Sequence, residues 1–463
     1  MIAMTLPEIA AAVGGAVHDD PGVQVSGPAF VDSRVAEPAG LFVAVRGERL
    51  DGHEYVDEAV AAGAAAVLAD HPVGAPAVVV EDVLDALAGL ARHVVLHLPE
   101  TRVVALTGSQ GKTSTKDLLA QVLSTAGTTV ATHGSFNNEI GLPLTVLRAE
   151  ASTQFLVLEM GARGVGHIRE LCEVAHPSVG LVLNVGSAHI GEFGSQAAIA
   201  RAKSELVESL PADGVAVLNA DDLLVAAMAD LTAATVLTFG EAETSDVRLV
   251  DVALDSGGRP EFDLVVGGRA APVHLQLLGE HQAGNAAAAA AVAMGLGMDL
   301  DPVATALSSA THASRWRMEV HERADGVTVV NDAYNANPDS MRAALKALAA
   351  LAKGRGGART VAVLGEMREL GAVSLEEHDA LGRLAVRLDI SQLVVVGEPA
   401  RAIHLGACLE GSWGGESVFV ADHDAAMAWL EQNVAPGDVV LVKASRAAGL
   451  ERVAQALLGE GGR

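Results

Sequence analysis

The sequence contains few cysteines and few basic residues, and both shortages narrow the possible functions. Its 463 residues include two cysteines, Cys172 and Cys408, which lie far apart and form no metal-ligand pattern. This argues against a disulfide framework or a thiolate metal site and favours a reduced, cytoplasmic protein. The 31 Lys and Arg residues face 58 Asp and Glu residues, giving a net charge of -27. So acidic a chain argues against a nucleic-acid backbone or an anionic membrane as the main partner.

Long apolar segments are scarce as well, and no signal peptide is evident. The longest uncharged apolar run extends from Ala286 to Met298, whereas a membrane-spanning helix needs about 20 residues. The segment from Met1 to Glu8 has neither the basic stretch nor the apolar core of a signal peptide. We therefore expect no membrane insertion. The length of the chain predicts about two to four domains.

The strongest local signal is the segment Thr107–Thr113, which reads TGSQGKT and follows the apolar run 103–106. Strand, glycine loop, Lys-Thr and helix is the arrangement that binds a nucleoside triphosphate. Loop amides, the helix N-terminus and Lys112 converge on the phosphates, while the Thr113 hydroxyl can reach Mg²⁺. Leu106 stands where the longer motif has its first glycine, so the loop is a shortened variant. An ordinary strand–turn–helix connection is the alternative.

Alternating strand and helix patterns predict an α/β protein of three domains. They are a small N-terminal α/β domain (1–99), a central parallel-sheet phosphate-loop ATPase domain (100–314) and a C-terminal Rossmann-like α/β domain (315–463). The central strands are predicted at 102–107, 154–160, 179–185 and 214–219, followed by an antiparallel addition at 235–278 and a helix at 284–298. The C-terminal strands are predicted at 327–330, 360–364, 392–396, 417–420 and 438–442.

Polar residues follow several of these strands. Glu159 ends an apolar strand, and in phosphate-loop proteins an acid on a neighbouring strand end holds Mg²⁺, although a solvated acid is the alternative. Taken alone, His189 is a loop histidine and Lys203 an exposed helix lysine. The segments 135–143 and 331–338 are unusually polar, although helix caps and turns explain part of both.

Together these segments resemble the Mur ligase family, the ATP-dependent amino acid and peptide ligases of bacterial cell-wall precursor synthesis, over all three domains. The segments 51–53, 135–141 and 334–340 are most similar to members that add D-alanyl-D-alanine to UDP-N-acetylmuramoyl-tripeptide. Members that add the third residue would carry His-Thr-Pro-Asp where this chain has Tyr-Asn-Ala-Asn-Pro, residues 334–338. The resemblance implies a cytoplasmic, monomeric, amide-bond-forming ligase of peptidoglycan synthesis.

The resemblance implies that ATP and Mg²⁺ are bound, with two metal ions. The residues expected around the ATP phosphates are Gly108, Ser109, Gln110, Gly111, Lys112, Thr113 and Ser114. His281 and Asn285 match the adenine-side motif, in which the family often has Asn at the position of Gln282. Asp332 would approach the ribose. Arg317 would reach the γ-phosphate, with Arg315 as the second candidate.

The metal ligands implied are Thr113 and Glu159 for one ion, and His189 with a CO₂-carbamylated Lys203 for the other. The catalytic residues implied are Lys112, Lys203, His189, Arg317 and Asn335. Ser33, Arg34, Gly47, Asp51 and His53 would hold the uridine diphosphate. Further substrate contacts are expected from Asn137, Asn138, Glu139 and Asn337, with Asn335 and Asn337 near the incoming dipeptide.

Several points stay open at this level. The third residue of the tripeptide is either meso-diaminopimelate or L-lysine, and no general base for the amine is identifiable. A different ATP-dependent ligase, of the third-residue-adding or folylpolyglutamate-like type, is one alternative. A non-catalytic nucleotide-binding protein on the same fold is another.

Overall fold

A computed structural model describes residues 1–47, 49–186, 190–411 and 414–459. It contains three α/β units, each built around its own main sheet, so the predicted fold class is confirmed. The boundaries predicted after residues 99 and 314 fall in segments without helix or strand. The boundaries themselves stay a prediction.

The N-terminal unit has a five-stranded sheet in which all neighbours are parallel except the first pair. Its strands, in sheet order, are Ala16–His18, Ala77–Val79, Ala66–Ala69, Leu41–Val43 and Ala29–Phe30. A separate ribbon pairs Met4–Thr5 with Gln24–Val25. The α-helices are Leu6–Val13, Val56–Ala61 and Val83–Leu96. The last helix packs against two helices of the central unit, so the two units share one apolar core.

The central unit is built on nine described strands. In sheet order they are Arg269–His274, Pro260–Val266, Val247–Leu254, Thr235–Gly240, Val215–Asn219, Val179–Val182, Arg102–Thr107, Phe155–Glu159 and Thr129–Ala131. The first three run antiparallel to one another and the rest pair in parallel. The predicted antiparallel addition is therefore real, but its first strand, Thr235–Gly240, belongs to the parallel part.

The helices of the central unit cover both faces of this sheet. They are Lys112–Ser124, Gly141–Val146, His167–Ala175, Ile190–Phe193, Gln196–Glu208, Leu223–Ala226, His281–Gly295 and Leu300–Ser309. The alanine run noted in the sequence forms most of helix His281–Gly295, which starts three residues earlier than predicted and is buried through Ala286–Ala293. Its small side chains let it pack on the helix that follows the phosphate loop. Within the described ranges, no helix is long and apolar enough to cross a membrane.

The C-terminal unit has a six-stranded sheet that is parallel except at one edge. Its strands, in sheet order, are Glu319–Glu322, Thr328–Asn331, Val439–Lys443, Thr360–Leu364, Gln392–Val396 and Ser417–Val420. Its helices are Pro338–Gly354, Ser374–Arg387, Arg401–Glu410, His423–Asn433 and Glu451–Leu457. The interior strands are buried along their length, as expected for a parallel sheet covered on both faces.

Candidate active site

The phosphate loop joins strand Arg102–Thr107 to helix Lys112–Ser124 at the carboxyl edge of the central sheet. Gly111 precedes the helix with a φ of 79°, a conformation that favours glycine. A Cβ atom at this position would also lie 2.5 Å from Asn285 Oδ1, so the loop and helix His281–Gly295 meet closely here. Lys112 Nζ donates to the carbonyl of Gly108 at 2.7 Å. Burial lowers the pKa of Lys112, an effect that the nearby Glu159 partly offsets.

Asn184 holds the loop from the neighbouring strand. Its Oδ1 atom accepts hydrogen bonds from the backbone amides of Ser109 at 2.9 Å and Gln110 at 3.0 Å. Its amide nitrogen donates to the Gln110 carbonyl at 3.2 Å. Asn184 was not among the predicted site residues. Its position just past a buried strand was the available signal, because polar residues at parallel strand ends face the ligand edge.

Thr113 and Glu159, predicted to share a Mg²⁺ ion, lie in contact. The Thr113 hydroxyl donates to Glu159 Oε2 at 2.9 Å, and Asn137 Nδ2 donates to Glu159 Oε1 at 2.7 Å. Glu159 is buried at 1% exposure, yet both carboxylate oxygens are hydrogen-bonded. The Thr113 hydroxyl and the Glu159 carboxylate thus place oxygen atoms around one buried point, and oxygen ligands suit Mg²⁺.

Lys203 is buried in helix Gln196–Glu208 and lines the same cavity as Lys112. Burial, reinforced by the positive charge of Lys112, holds the pKa of Lys203 well below its usual value. The default interpretation of an exposed helix lysine is therefore wrong. His189, the other residue predicted for this metal, lies outside the described residues.

The residues predicted on the nucleoside side lie close together. Gln282, Asn285 and Asp332 are buried, whereas His281, the first residue of its helix, is exposed. Asn285 Nδ2 donates to Gln282 Oε1 at 2.9 Å. Asp332 accepts from Lys443 Nζ at 2.6 Å and from the backbone amide of Met318 at 3.1 Å. His281, Gln282, Asn285, Asp332 and Lys443 all line the cavity.

The C-terminal unit reaches the loop through Arg317. Its Nη2 atom donates to the Thr113 hydroxyl at 3.0 Å, and its guanidinium carbon lies 4.3 Å from the centre of the Tyr334 ring. The residues on either side, Trp316 and Met318, have φ angles of 58° and 54°, which are strained for side-chain-bearing residues. Arg315 is exposed and does not line the cavity.

The predicted dipeptide region lies on the same side. The Tyr334 hydroxyl makes a short hydrogen bond with Ser135 Oγ of the central unit. Asn337 caps helix Pro338–Gly354 by accepting from the backbone amide of Ser340, and its Nδ2 atom lies 3.5 Å from the carbonyl of Ser109. Further predicted residues that line the cavity are Gln110, Ser114, Asn138, Glu139 and Asn335.

The residues predicted to hold the uridine diphosphate do not line this cavity. Ser33 Oγ donates to Glu58 at 3.1 Å, and the exposed Arg34 pairs with Asp32 at 2.7 Å. The other members of this predicted group, Gly47, Asp51 and His53, lie in one turn, where Asp51 Oδ1 accepts from the His53 amide. Their role in binding stays a prediction.

The cavity itself has a volume of about 1070 Å³ and is lined by all three units. On the side of the N-terminal unit it is lined by Val31, Leu84, Asp85, Ala88 and Arg92. These residues, like Arg163 and His167, were not predicted to belong to the site, because the sequence around them has the pattern of ordinary helices and loops. The cavity combines the phosphate loop with a set of oxygen ligands, and its volume exceeds what one small ligand needs. These features indicate a site that holds several substrates at once.

Comparisons with known proteins agree with this architecture. Three family models match successive parts of the chain: "Mur ligase family, catalytic domain" at 29–95, "Mur ligase middle domain" at 106–293 and "Mur ligase, glutamate ligase domain" at 316–446.

Full-length relatives are similar throughout. The protein named UDP-N-acetylmuramoyl-tripeptide–D-alanyl-D-alanine ligase from Mycobacterium tuberculosis (strain ATCC 25618 / H37Rv) is 51% identical, over 99% of this chain and 98% of that protein. The ligase of the same name from Escherichia coli (strain K12) is 36% identical, over 99% of each. A crystal structure of MurF from Acinetobacter baumannii has a TM-score of 0.87 at 31% identity, over 99% of both chains. MurF from Thermotoga maritima in complex with ADP has a TM-score of 0.79 at 32% identity, over 94% of this chain and 98% of that one.

Proposed function

The chain belongs to the Mur ligase family of ATP-dependent ligases, and we propose that it joins D-alanyl-D-alanine to UDP-N-acetylmuramoyl-tripeptide, giving the pentapeptide precursor of peptidoglycan. The observation that carries the proposal is the single cavity in which the phosphate loop, the Thr113–Glu159 pair and the Tyr334–Asn337 segment meet. Relatives that bear this ligase's name and match nearly the whole chain support it.

Binding of ATP with Mg²⁺ fits the residues present. The backbone of 108–113 and the Lys112 ammonium would hold the phosphates at the positive end of helix Lys112–Ser124. Thr113 and Glu159 would ligate one Mg²⁺, since their oxygens already lie 2.9 Å apart. A bound Mg²⁺ ion would supply positive charge that offsets repulsion between the substrate carboxylate and the triphosphate.

Lys203 fits the proposed carbamate. CO₂ reacts with a neutral amine: the nitrogen forms a bond to carbon and loses one proton, so an uncharged amine becomes an anionic carbamate. Burial beside Lys112 favours the neutral amine that this reaction needs. The resulting carbamate oxygens would bind the second Mg²⁺ ion. His189 remains the other proposed ligand of that ion.

The proposed reaction has two chemical steps. An oxygen of the tripeptide's terminal carboxylate attacks the γ-phosphorus of ATP, and ADP leaves, which produces an acyl phosphate. The amine of the dipeptide then attacks the acyl carbon through a tetrahedral intermediate; phosphate leaves, and the nitrogen loses a proton. Lys112 and Arg317 would stabilise charge on the transferred phosphoryl group, and Asn335 and Asn337 would orient the dipeptide. Closure of the three units over the site would exclude water and protect the acyl phosphate.

The direct test is ADP release by the whole protein. We expect release to depend on both UDP-N-acetylmuramoyl-tripeptide and D-alanyl-D-alanine, with a peptide product whose mass equals the sum of tripeptide and dipeptide minus water. Assays with the meso-diaminopimelate and the L-lysine tripeptide identify the third residue. Equal ADP release with a free diamino acid or glutamate as acceptor would contradict the proposed acceptor. No substrate-dependent ADP release would favour the non-catalytic alternative.

A pair of arginine variants tests the contact between the units. Arg317→Lys should lower kcat about 10²-fold or more, because a lysine ammonium cannot keep both the contact with Thr113 and the stacking on Tyr334. Arg315→Lys is the matched control and should keep kcat within about twofold, since Arg315 is exposed. Steady-state kinetics with ATP varied would show this. Equal losses in the two variants would refute the assignment of Arg317.

A further inference from the structure

A second cluster of ligand-type side chains lies in the N-terminal unit, outside the cavity. His53, Asp70 and His71 each offer one nitrogen or oxygen atom, and these atoms lie within 4.8 Å of one another. Asp70 Oδ1 is 3.2 Å from His53 Nε2 and 2.5 Å from His71 Nδ1. The two imidazole rings stack with their centres 4.4 Å apart. We propose that His53, Asp70 and His71 form a binding site for a divalent transition-metal ion of the zinc class.

The local fold brings these residues together from two segments. Asp70 and His71 directly follow strand Ala66–Ala69, whereas His53 lies in the 3₁₀ turn Gly52–Tyr55. Asp51 starts that turn by accepting a hydrogen bond from the His53 amide at 3.0 Å. The approach of the histidine to the strand end is therefore fixed by backbone structure.

Asp51 also orients the His53 ring. Its Oδ1 atom lies 2.5 Å from His53 Nδ1, so the Nδ1 proton points to this carboxylate. The lone pair then resides on Nε2, which accepts from the backbone amide of Asp70 at 3.4 Å and lies 3.2 Å from Asp70 Oδ1. A carboxylate on the far nitrogen of a ligating histidine is the usual support of metal-bound imidazoles. His53 thus has both the orientation and the tautomer that a metal ligand needs.

The charge of the cluster favours a cation. Arg46 Nε lies 2.8 Å from Asp70 Oδ2 and 3.6 Å from Asp51 Oδ2. Two carboxylates therefore face one guanidinium, which leaves the side chains around the histidines with a net negative charge.

The spacing fits tetrahedral coordination after a small movement. Two ligand atoms about 2.0–2.1 Å from Zn²⁺ at a tetrahedral angle are about 3.3 Å apart, close to the observed 3.2 Å between His53 and Asp70. His71 must move outward, which its side chain can do because it is 48% exposed, whereas the His53 side chain is 6% exposed. Two imidazoles and one carboxylate favour Zn²⁺, Ni²⁺ or Cu²⁺ over Mg²⁺. Water would complete the coordination on the exposed side.

The proposal adds a metal site to the ligase function and shares one residue, His53, with the group predicted to hold the uridine diphosphate. None of the three side chains lines the cavity, whose Thr113–Glu159 pair offers only oxygen ligands. Metal binding can therefore be measured directly, without an activity assay. Failure of the metal site would leave the ligase proposal unaffected.

The test is a Co²⁺ titration of chelator-treated whole protein in excess Mg²⁺, followed by the visible absorption of tetrahedral Co²⁺ and its loss on addition of Zn²⁺. The wild-type protein should give these bands. His71→Ala and Asp70→Asn should weaken binding at least about tenfold while the thermal unfolding midpoint stays close to that of wild type, which shows that the variants fold.

The matched control is His97→Ala. Its ring stacks on that of His93 with the centres 4.0 Å apart, so it also belongs to a histidine pair within the described part of this unit. Its loss should leave the Co²⁺ spectrum unchanged. The proposal is overturned if wild-type protein gives no tetrahedral bands, or if His97→Ala removes them and His71→Ala does not.

Discussion

Lys203→Ala is expected to lower kcat about 10²- to 10³-fold, the range seen when one preorganised charge is removed from a transition state. In the proposed mechanism the variant loses the carbamate and with it one ligand of the second Mg²⁺. Lys203 is buried at 6% exposure, so truncation leaves a space beside Lys112 into which a small anion can fit. Acetate or formate at high concentration should therefore restore part of the activity, measured as ADP release.

The rescue separates a carbamate from a structural lysine. Lys112→Met serves as the matched comparison, because the same carboxylates cannot replace a missing cation. The burial-lowered pKa of Lys203 adds a pH criterion. A lowered pKa keeps the Lys203 amine neutral at pH values where an ordinary lysine is protonated. Wild-type activity in limiting bicarbonate should therefore persist at those pH values. Full activity of Lys203→Ala, or equal rescue of both variants, would refute the carbamate.

Lys112→Met should have an effect at least as large, lowering kcat/KM for ATP about 10³-fold. Lys112 is the only charged residue of the loop 107–113. Its Nζ atom lies 2.7 Å from the Gly108 carbonyl. Methionine keeps the length and apolar stem of the side chain, so the loss reports on charge rather than packing. Kinetics with varied ATP, together with a thermal unfolding midpoint close to that of wild type, would show this.

Lys116 provides the control for Lys112. It lies one turn further along the same helix, is buried at 3% exposure, and donates to the Thr132 carbonyl at 2.7 Å. Lys116→Met should lower the unfolding midpoint by leaving this carbonyl without its donor. Its effect on kcat/KM for ATP should be much smaller. A loss of activity in Lys116→Met that matches Lys112→Met would show that helix packing, not phosphate contact, explains both.

The sequence was sufficient to predict strand bounds where a strand is a short, strongly apolar run of residues. Strands Thr360–Leu364, Gln392–Val396 and Ser417–Val420 have the bounds that were predicted. The central strand predicted at 179–185 ends at Val182, because the following residues leave the sheet and place Asn184 against the phosphate loop.

The elements that were not predicted have weaker patterns. Strand Thr129–Ala131 is short and only partly buried, and the edge strand Glu319–Glu322 is polar. Helix Arg401–Glu410 begins directly after a 3₁₀ turn and lacks a side-chain cap. In each case pairing or packing with distant segments decides the conformation, and neither is visible in a local window.

The residues of the candidate site likewise fall into those that local sequence patterns predict and those that they do not. The loop 108–113 and Glu159 follow from strand–loop–helix chemistry. Lys203 and Arg317 entered the predicted site only through the family resemblance. The burial of Lys203 and the contact of Arg317 with Thr113 depend on residues far apart in the chain and were not predicted. Asn184 and Arg92 were missed because their importance comes from what tertiary folding places beside them.

The close contact between Gly111 and Asn285 limits which substitutions these two positions can accept. The glycine and Asn285 belong to motifs far apart in the chain, yet a methyl group on one would overlap the amide of the other. A larger residue at Gly111 would also have to adopt a left-handed backbone, which favours glycine. We therefore expect a substitution at either position to change the effect of a substitution at the other.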